Sequence, residues 1–202
     1  MRFVKHLEEM GACREALGWC GKRGLKRAWH DAARGDWMLW LAGRLHVDRK
    51  LLVLAACDCA ETVLQYVPEG EGRPTRAIQT SRNWGAGNAS PDDVRAAAAA
   101  ATAAAYAAAY ADAAYAAYGA AAAAAAAAYA ATDATDAAYA ATDAAATAAY
   151  AAYADAAAAG AAYADATAAA AAVRTKAHYS CAALVRARIP YDVIATAWRE
   201  RG

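Results

Sequence analysis

Histidine is scarce in this sequence, and the shortage limits the catalytic sites that it can build. The 202 residues include four histidines, three of them within the first 46 positions. A nucleophile needs a nearby base and an orienting acid, and helical di-metal sites need Glu-x-x-His motifs, which the sequence lacks. His30 beside Asp31 is typical of a solvated helix face. We therefore expect a protein that is not an enzyme and that carries no cofactor.

Cysteine occurs in an odd number, and the first six residues contain no long apolar run of the secretory type. The five cysteines are Cys13, Cys20, Cys57, Cys59 and Cys181. These features predict a cytoplasmic protein with reduced thiols. Cys57 and Cys59 lie two positions apart on a predicted helix, which is not the spacing of a zinc pair, so we expect small core residues. His178 and Cys181, one helical turn apart, are interpreted as structural because no second ligand pair accompanies them.

Lysine, arginine and glutamate are absent from residues 96–172, where only tyrosine, threonine, aspartate and two glycines interrupt alanine. Alanine is the strongest helix former, so this stretch predicts helix. As one rod, residues 91–189 would be roughly 150 Å long at a rise of 1.5 Å per residue. That length far exceeds a compact chain of this size, so the stretch must fold back on itself. Breaks at Gly119, at 132–136 and at Gly160 predict about three helices.

The alanine stretch is not apolar enough for a membrane span, because alanine is barely apolar on insertion scales and aspartate recurs along it. The mean hydropathy is +0.06, and each aspartate placed at mid-bilayer would cost roughly 2.5–3.5 kcal/mol. These values argue against a membrane span. The threonines keep no eleven-residue period, which argues against an ice-binding face.

Charge is unevenly distributed along the chain. Residues 1–95 hold 15 basic and 12 acidic residues. Residues 96–172 hold no basic and 6 acidic residues, and residues 173–202 hold 6 basic and 2 acidic residues. We expect the basic flanks to pack along an acidic helical layer. With a pI near 7.6 the composition does not favour a general nucleic-acid binder.

Apolar periodicity and turn residues predict shorter helices outside the alanine stretch. Gly35 is expected to cap one helix and Asp36 to begin the next, while Ser90 and Pro91 form a strong helix start. The predicted helices span residues 5–19, 25–33, 37–45, 51–67, 73–84, 173–189 and 191–198. No stretch has the pattern of a strand.

The predicted fold is all-α, a helical bundle with short N-terminal helices packed on long antiparallel alanine-rich helices. We expect one domain over residues 1–202. It would comprise an N-terminal helical part at 1–90, the alanine-rich layer with its closing helix at 91–189, and a tail at 190–202.

Two blocks outside the alanine stretch are the most specific, Gly35-Asp36-Trp37 and Pro68-Glu69-Gly70, and a closing segment from Leu184 to Pro190 follows the alanine stretch. With them, the segment from Arg14 to Pro190 resembles an alanine-rich immunity-protein family of bacteria and their phages. The resemblance implies an all-helical cytoplasmic protein without an assigned catalytic mechanism. It also implies a phage or bacterial protein that neutralises its target by binding.

The first candidate target is a small anionic, nucleotide-like immune signal. Planar aromatic side chains would hold the base, and arginine side chains with helix N-termini would hold phosphate. The proposed ligand-binding residues are Asp36, Trp37, Trp40, Arg44, Glu69, Arg73, Arg76 and Trp84. A simpler interpretation remains open, in which the tryptophans belong to the core and the arginines pair with Glu69 or Glu71.

The second candidate target is a protein toxin or defence effector. In that case the acidic face carrying Tyr139, Tyr150 and Tyr153 would be the contact surface, since tyrosine is a common interface anchor. A third interpretation is a structural helical protein that assembles into a homo-oligomer through its alanine face.

Overall fold

The computed structural model describes residues 2–110, 122–128, 130, 144, 147–148, 151 and 166–201. The helices are α1 (Arg2–Glu9), α2 (Arg14–Cys20), α3 (Leu25–Asp31), α4 (Gly35–Arg44), α5 (Arg49–Glu61), α6 (Arg73–Gly85), α7 (Pro91–Tyr110), α8 (Ala166–Arg188) and α9 (Tyr191–Arg201). A short 3₁₀ helix spans Leu64–Tyr66, and residues 122–128 are helical. These ranges contain no strand, so the all-α prediction is confirmed.

The fold is built around α5, against which α4, α6 and α8 pack. α7 packs on α6, and its residues Val94, Ala98 and Ala101 form a fully buried stripe at helical spacing. α9 packs on α3, and its Trp198 ring lies 5.3 Å from that of Phe3 in α1. The tail predicted at 191–198 is therefore a docked helix.

Asp58 of α5 joins α6 and α8 through charged hydrogen bonds. The Arg188 guanidinium donates from Nε to Oδ2 at 2.9 Å and from an η nitrogen to Oδ1 at 3.1 Å. Arg82 donates to Oδ1 at 2.9 Å and to Glu61 at 2.6 Å. Such charge-assisted bonds are stronger than neutral ones, so this group fixes the positions of three helices.

Several predicted helix starts and ends are confirmed. The Ser90 hydroxyl accepts a bond from the Asp93 amide at 3.1 Å, and the Asp93 carboxylate accepts one from the Ser90 amide at 2.8 Å. This reciprocal pair is a capping box. Pro74 occupies the first turn of α6, and α8 ends at Arg188, two residues before Pro190.

Other boundaries are wrong, and glycine explains two of them. The helix predicted at 5–19 is broken because Gly11 adopts φ +87°, which ends α1 before α2 begins. Gly35 is not a helix cap but the first residue of α4, and the N-cap residue is Arg34 rather than Asp36. The helix predicted at 51–67 ends at Glu61 and gives way to the 3₁₀ turn.

Predictions about the middle of the alanine stretch lie outside the described residues. They comprise the breaks at Gly119, 132–136 and Gly160 and the tyrosine face of Tyr139, Tyr150 and Tyr153. Within the described ranges, no helix combines the length and the apolar character required to cross a bilayer.

Candidate functional site

A cavity of about 310 Å³ lies among α1, α2, α3 and α4. Four tryptophans contribute to its lining: Trp19 of α2, Trp29 of α3, and Trp37 and Trp40 of α4. Trp29 is 2% exposed and belongs to the core. The other three are half-buried, so the cavity extends from the core to the protein surface.

The periodicity of α4 places its tryptophans on the cavity side. Trp37 and Trp40 are three residues apart and therefore share one face of the helix. Leu39 and Ala42, on the opposite side, are fully buried. The sequence left open whether this tryptophan pair belonged to the core or to a site. The structure places both residues in the cavity lining with part of each ring exposed.

Aromatic and cationic groups connect α2 with α4 along one side of the cavity. The rings of Trp19 and Trp37 are 5.9 Å apart, measured between centroids. Arg23 lies 4.7 Å from the Trp19 ring centroid, and Arg34 lies 4.7 Å from the Trp37 centroid. Each contact is within the range in which a cation is attracted to the ring face. The two arginines therefore help to fix the orientation of both rings.

All three guanidinium nitrogens of Arg34 donate hydrogen bonds to carboxylates at the cavity wall. Its Nε donates to Asp36 Oδ1 at 2.9 Å, and one η nitrogen donates to Asp36 Oδ2 at 2.6 Å. The other η nitrogen donates to Glu15 of α2 at 3.4 Å. The hydrogen bonds to Asp36 raise the pKa of Arg34. Asp36 is 5% exposed, so its carboxylate is buried, and it forms a bidentate pair with Arg34.

His178 of α8 lies next to the Asp36 carboxylate. Its Nδ1 lies 3.8 Å from Asp36 Oδ1 and has no hydrogen-bond partner among the described residues. Burial lowers the pKa of His178, against the attraction of Asp36. The described residues contain no group of three or more His, Cys, Asp or Glu side chains arranged to hold a metal.

α8 also supports the α3 wall of the cavity. One η nitrogen of Arg186 donates to the carbonyl of Ala32 at 2.7 Å and to that of Trp29 at 3.4 Å. These carbonyls belong to the end of α3, where helix backbone acceptors lack partners. Burial lowers the pKa of Arg186.

The structure divides the sequence-predicted residues into two sets. Asp36, Trp37 and Trp40 line the cavity. The residues that do not line it are Arg44, Glu69, Arg73, Arg76 and Trp84.

The residues outside the cavity have local roles. Arg73 donates from Nε to both oxygens of Glu71, at 2.8 and 3.0 Å, and these bonds lower the pKa of Glu71 to about 2. Arg49 lies 4.9 Å from the ring centroid of Trp84. Arg44 is half-buried, whereas Glu69 and Arg76 are exposed.

Sequence reasoning did not select Arg34, Glu15 or Trp19 as site residues. Arg34 had a usable signal, because it stands two positions before Asp36 in a block already considered specific. Glu15 and Trp19 lie on α2. The sequence predicted one helix over residues 5–19, and this prediction did not separate α2 from α1. The break at Gly11 creates the separate α2 that contributes to the cavity.

The five cysteines differ sharply in accessibility. Cys13 is exposed and lines the cavity, whereas Cys20, Cys57, Cys59 and Cys181 are buried. Burial raises the pKa of Cys57 to about 12. Hydrogen bonding with Cys181, together with burial, raises the pKa of Cys59. Because the thiolate is the reactive form, Cys13 is the thiol best placed for selective labelling.

Comparison with known proteins gives one match. The model of a family described as "Imm-5 like putative immunity protein" matches residues 46–159, more than half of the chain. No curated protein and no solved structure matches. The matched segment begins after α4 and covers α5, α6 and α7.

Proposed function

The chain belongs to the Imm-5-like immunity-protein family, and from this membership we propose that it neutralises a protein effector by stoichiometric binding without turnover. The contact would be centred on the cavity among α1 to α4. The observation that carries this proposal is the half-buried group Trp19, Trp37 and Trp40 around an open cavity.

Partly exposed tryptophans are suited to protein recognition. Tryptophan and arginine are enriched among the residues that dominate binding energy, and such residues cluster in well-packed pockets. The cavity volume of about 310 Å³ is at the lower end of the range for ligand sites. One or two inserted side chains of a partner would occupy it.

The nucleotide hypothesis has weaker support at this cavity. Its arginines Arg44, Arg73 and Arg76 do not line the cavity, and Arg34, which does line it, is bonded to Asp36 and Glu15. A phosphate would therefore have to displace internal carboxylates. An effector side chain that is mainly apolar needs no such exchange.

Cys13 provides a way to test where the effector binds. A photoreactive benzophenone maleimide placed on Cys13 would project from the cavity lining, and ultraviolet irradiation in an extract of the producing cells would link it to a bound effector. The matched control is Cys13→Ser with Glu69→Cys, which moves the same probe to the exposed Pro68–Gly70 loop. We expect a covalent 1:1 product from Cys13 and much less from position 69.

Titration of the identified effector then tests the mechanism. We expect its toxic activity to reach zero at one molar equivalent of this protein, and growth of effector-expressing bacteria to be restored by co-expression. The double variant Trp37→Ala/Trp40→Ala should need a large excess, whereas Trp84→Ala, which removes a half-buried tryptophan outside the cavity lining, should behave like the wild type.

Three results would contradict the proposal. Neutralisation at a small fraction of one equivalent would indicate turnover. Full activity of a correctly folded Trp37→Ala/Trp40→Ala variant would exclude the cavity. A rise in melting temperature with a nucleotide that is recovered unchanged would instead support sequestration of a small anionic ligand.

A further inference from the structure

Resting on the proposed function, we propose that the effector segment entering the cavity carries a bulky apolar side chain next to a lysine or arginine, and that this basic group binds Glu15. Both parts of the predicted partner are chemical features that simple probes can reproduce.

Among the residues that the structure describes, Glu15, Arg34 and Asp36 are the acidic and basic ones that line the cavity. Asp36 and Arg34 neutralise each other in a bidentate pair, at 2.6 and 2.9 Å. The remaining formal charge in the lining is the carboxylate of Glu15. An incoming anion would meet this negative charge without an unpaired cation to balance it.

Arg34 cannot easily serve as an anion receptor. Its guanidinium nitrogens all donate to Asp36 or Glu15, and its Cζ atom lies 4.7 Å from the Trp37 ring centroid. Binding a phosphate or carboxylate would leave the buried Asp36 carboxylate without its partner. Such an uncompensated buried charge is strongly unfavourable.

The Glu15 carboxylate can accept further hydrogen bonds. Its side chain is 71% exposed, and its contact with Arg34 is long, at 3.4 Å. An ionised carboxylate has about four lone-pair sites, so the oxygens of Glu15 can accept bonds from a further cation. The lining thus combines tryptophan surface with an accessible acceptor, which complements an apolar group beside a positive charge.

The test uses two small probes that share a phenyl ring and differ in charge. 2-Phenylethylamine carries an ammonium group, and 3-phenylpropionate carries a carboxylate. Binding is followed at low salt through the indole N–H signals of Trp37 and Trp40 in NMR titrations of the whole protein. We expect the amine to bind about threefold to tenfold more tightly than the carboxylate. The ammonium group gains a partly exposed ion pair with Glu15, whereas the carboxylate is repelled by it.

Substitutions of Glu15 then assign the preference. Glu15→Gln should remove it, and Glu15→Lys should reverse it. Glu8→Lys is the matched control, because Glu8 is exposed on α1 and does not line the cavity. Melting curves confirm that each variant is folded, and higher ionic strength should weaken the wild-type preference.

The outcomes separate this inference from the proposed function. If both probes bind the wild type equally, or the preference survives in Glu15→Gln, the charge assignment is wrong while the cavity remains the binding site. If neither probe shifts the Trp37 and Trp40 signals, the cavity itself fails as the site. A preference for the carboxylate would overturn the inference and favour an anionic ligand.

Discussion

A Cβ added at Gly35 would lie 2.7 Å from the Cβ of Cys181 and 2.9 Å from its carbonyl carbon. Helices α4 and α8 therefore meet through bare backbone at this position. The close packing at residue 35 accompanies two other contacts of α8, that of His178 with Asp36 and that of Arg186 with the Ala32 carbonyl.

Gly35→Ala should lower the free energy of unfolding by about 1–3 kcal/mol, because the new methyl group forces two packed helices apart. Gly18→Ala is the matched control within α2, where an added Cβ meets nothing within 4 Å. That change should raise the stability by about 0.5–1 kcal/mol. Urea unfolding measures both. Equal effects of the two substitutions would show that the contact with Cys181 is unimportant.

His178 should make the protein less stable as the solution becomes acidic. The groups around it are Asp36, Arg34, Arg174 and Glu15, and burial lowers its pKa below 6.5 in the folded state. The unfolded chain then binds more protons than the folded chain, so stability falls as pH decreases through 6.5. Above that value the contribution is fully present.

The free energy of unfolding measured from about pH 7.5 to 5 should therefore decline in the wild type and decline less in His178→Gln. The exposed residue His30 offers His30→Gln as the matched control. An identical slope in His178→Gln and the wild type would mean that His178 does not contribute to the pH dependence.

Removing Asp58 should be more damaging than removing an exposed carboxylate. Asp58→Ala leaves the guanidinium groups of Arg82 and Arg188 next to each other without their shared acceptor, and we expect a loss of about 2–3 kcal/mol. Asp31→Ala, which breaks ion pairs at the surface with Arg23 and Arg27, should cost less than about 1 kcal/mol. The double variant Asp58→Ala/Arg188→Ala should recover part of the loss in thermal unfolding. An additive result would contradict direct coupling between these residues.

Thiol reactivity should distinguish one cysteine from four. Cys13 is exposed and the other four cysteines are buried, so Ellman's reagent should titrate one thiol rapidly and the others only on unfolding. Cys13→Ser should abolish the rapid phase. Two rapid equivalents in the wild type would indicate that the wall containing Cys20 opens under native conditions.

The sequence predicted features that depend on local chemistry. Ser90, Pro91 and Asp93 form a helix start from side chains within four residues, and Pro74 and Pro190 act on the backbone where they stand. The all-α class followed in the same way from alanine and from the lack of strand patterns. Trp37 and Trp40 were proposed as site residues because planar aromatic rings suit a nucleotide base, and their spacing alone was also typical of core residues; the structure places both in the cavity lining.

Features that depend on distant contacts could not be predicted. Gly35 is required by Cys181, 146 positions later in the chain, and no local rule separates this requirement from a helix cap. Arg34 becomes part of the site through Asp36 and through Glu15 on another helix. Arg73, in contrast, satisfies Glu71 two residues away, so a charged residue beside a conspicuous loop was not sufficient to indicate a ligand site.

The bond between Arg186 and the Ala32 carbonyl joins residues 154 positions apart. During synthesis at about 5–20 residues per second, the ribosome reaches Arg186 roughly 8 to 30 seconds after Ala32. Until then the carbonyls at the end of α3 lack their Arg186 donor, and the Asp36 carboxylate lacks its neighbour His178. The helix that supports the cavity wall is therefore made late in translation, so newly made protein passes through an interval in which its N-terminal tryptophans are present but α8 does not yet support the wall.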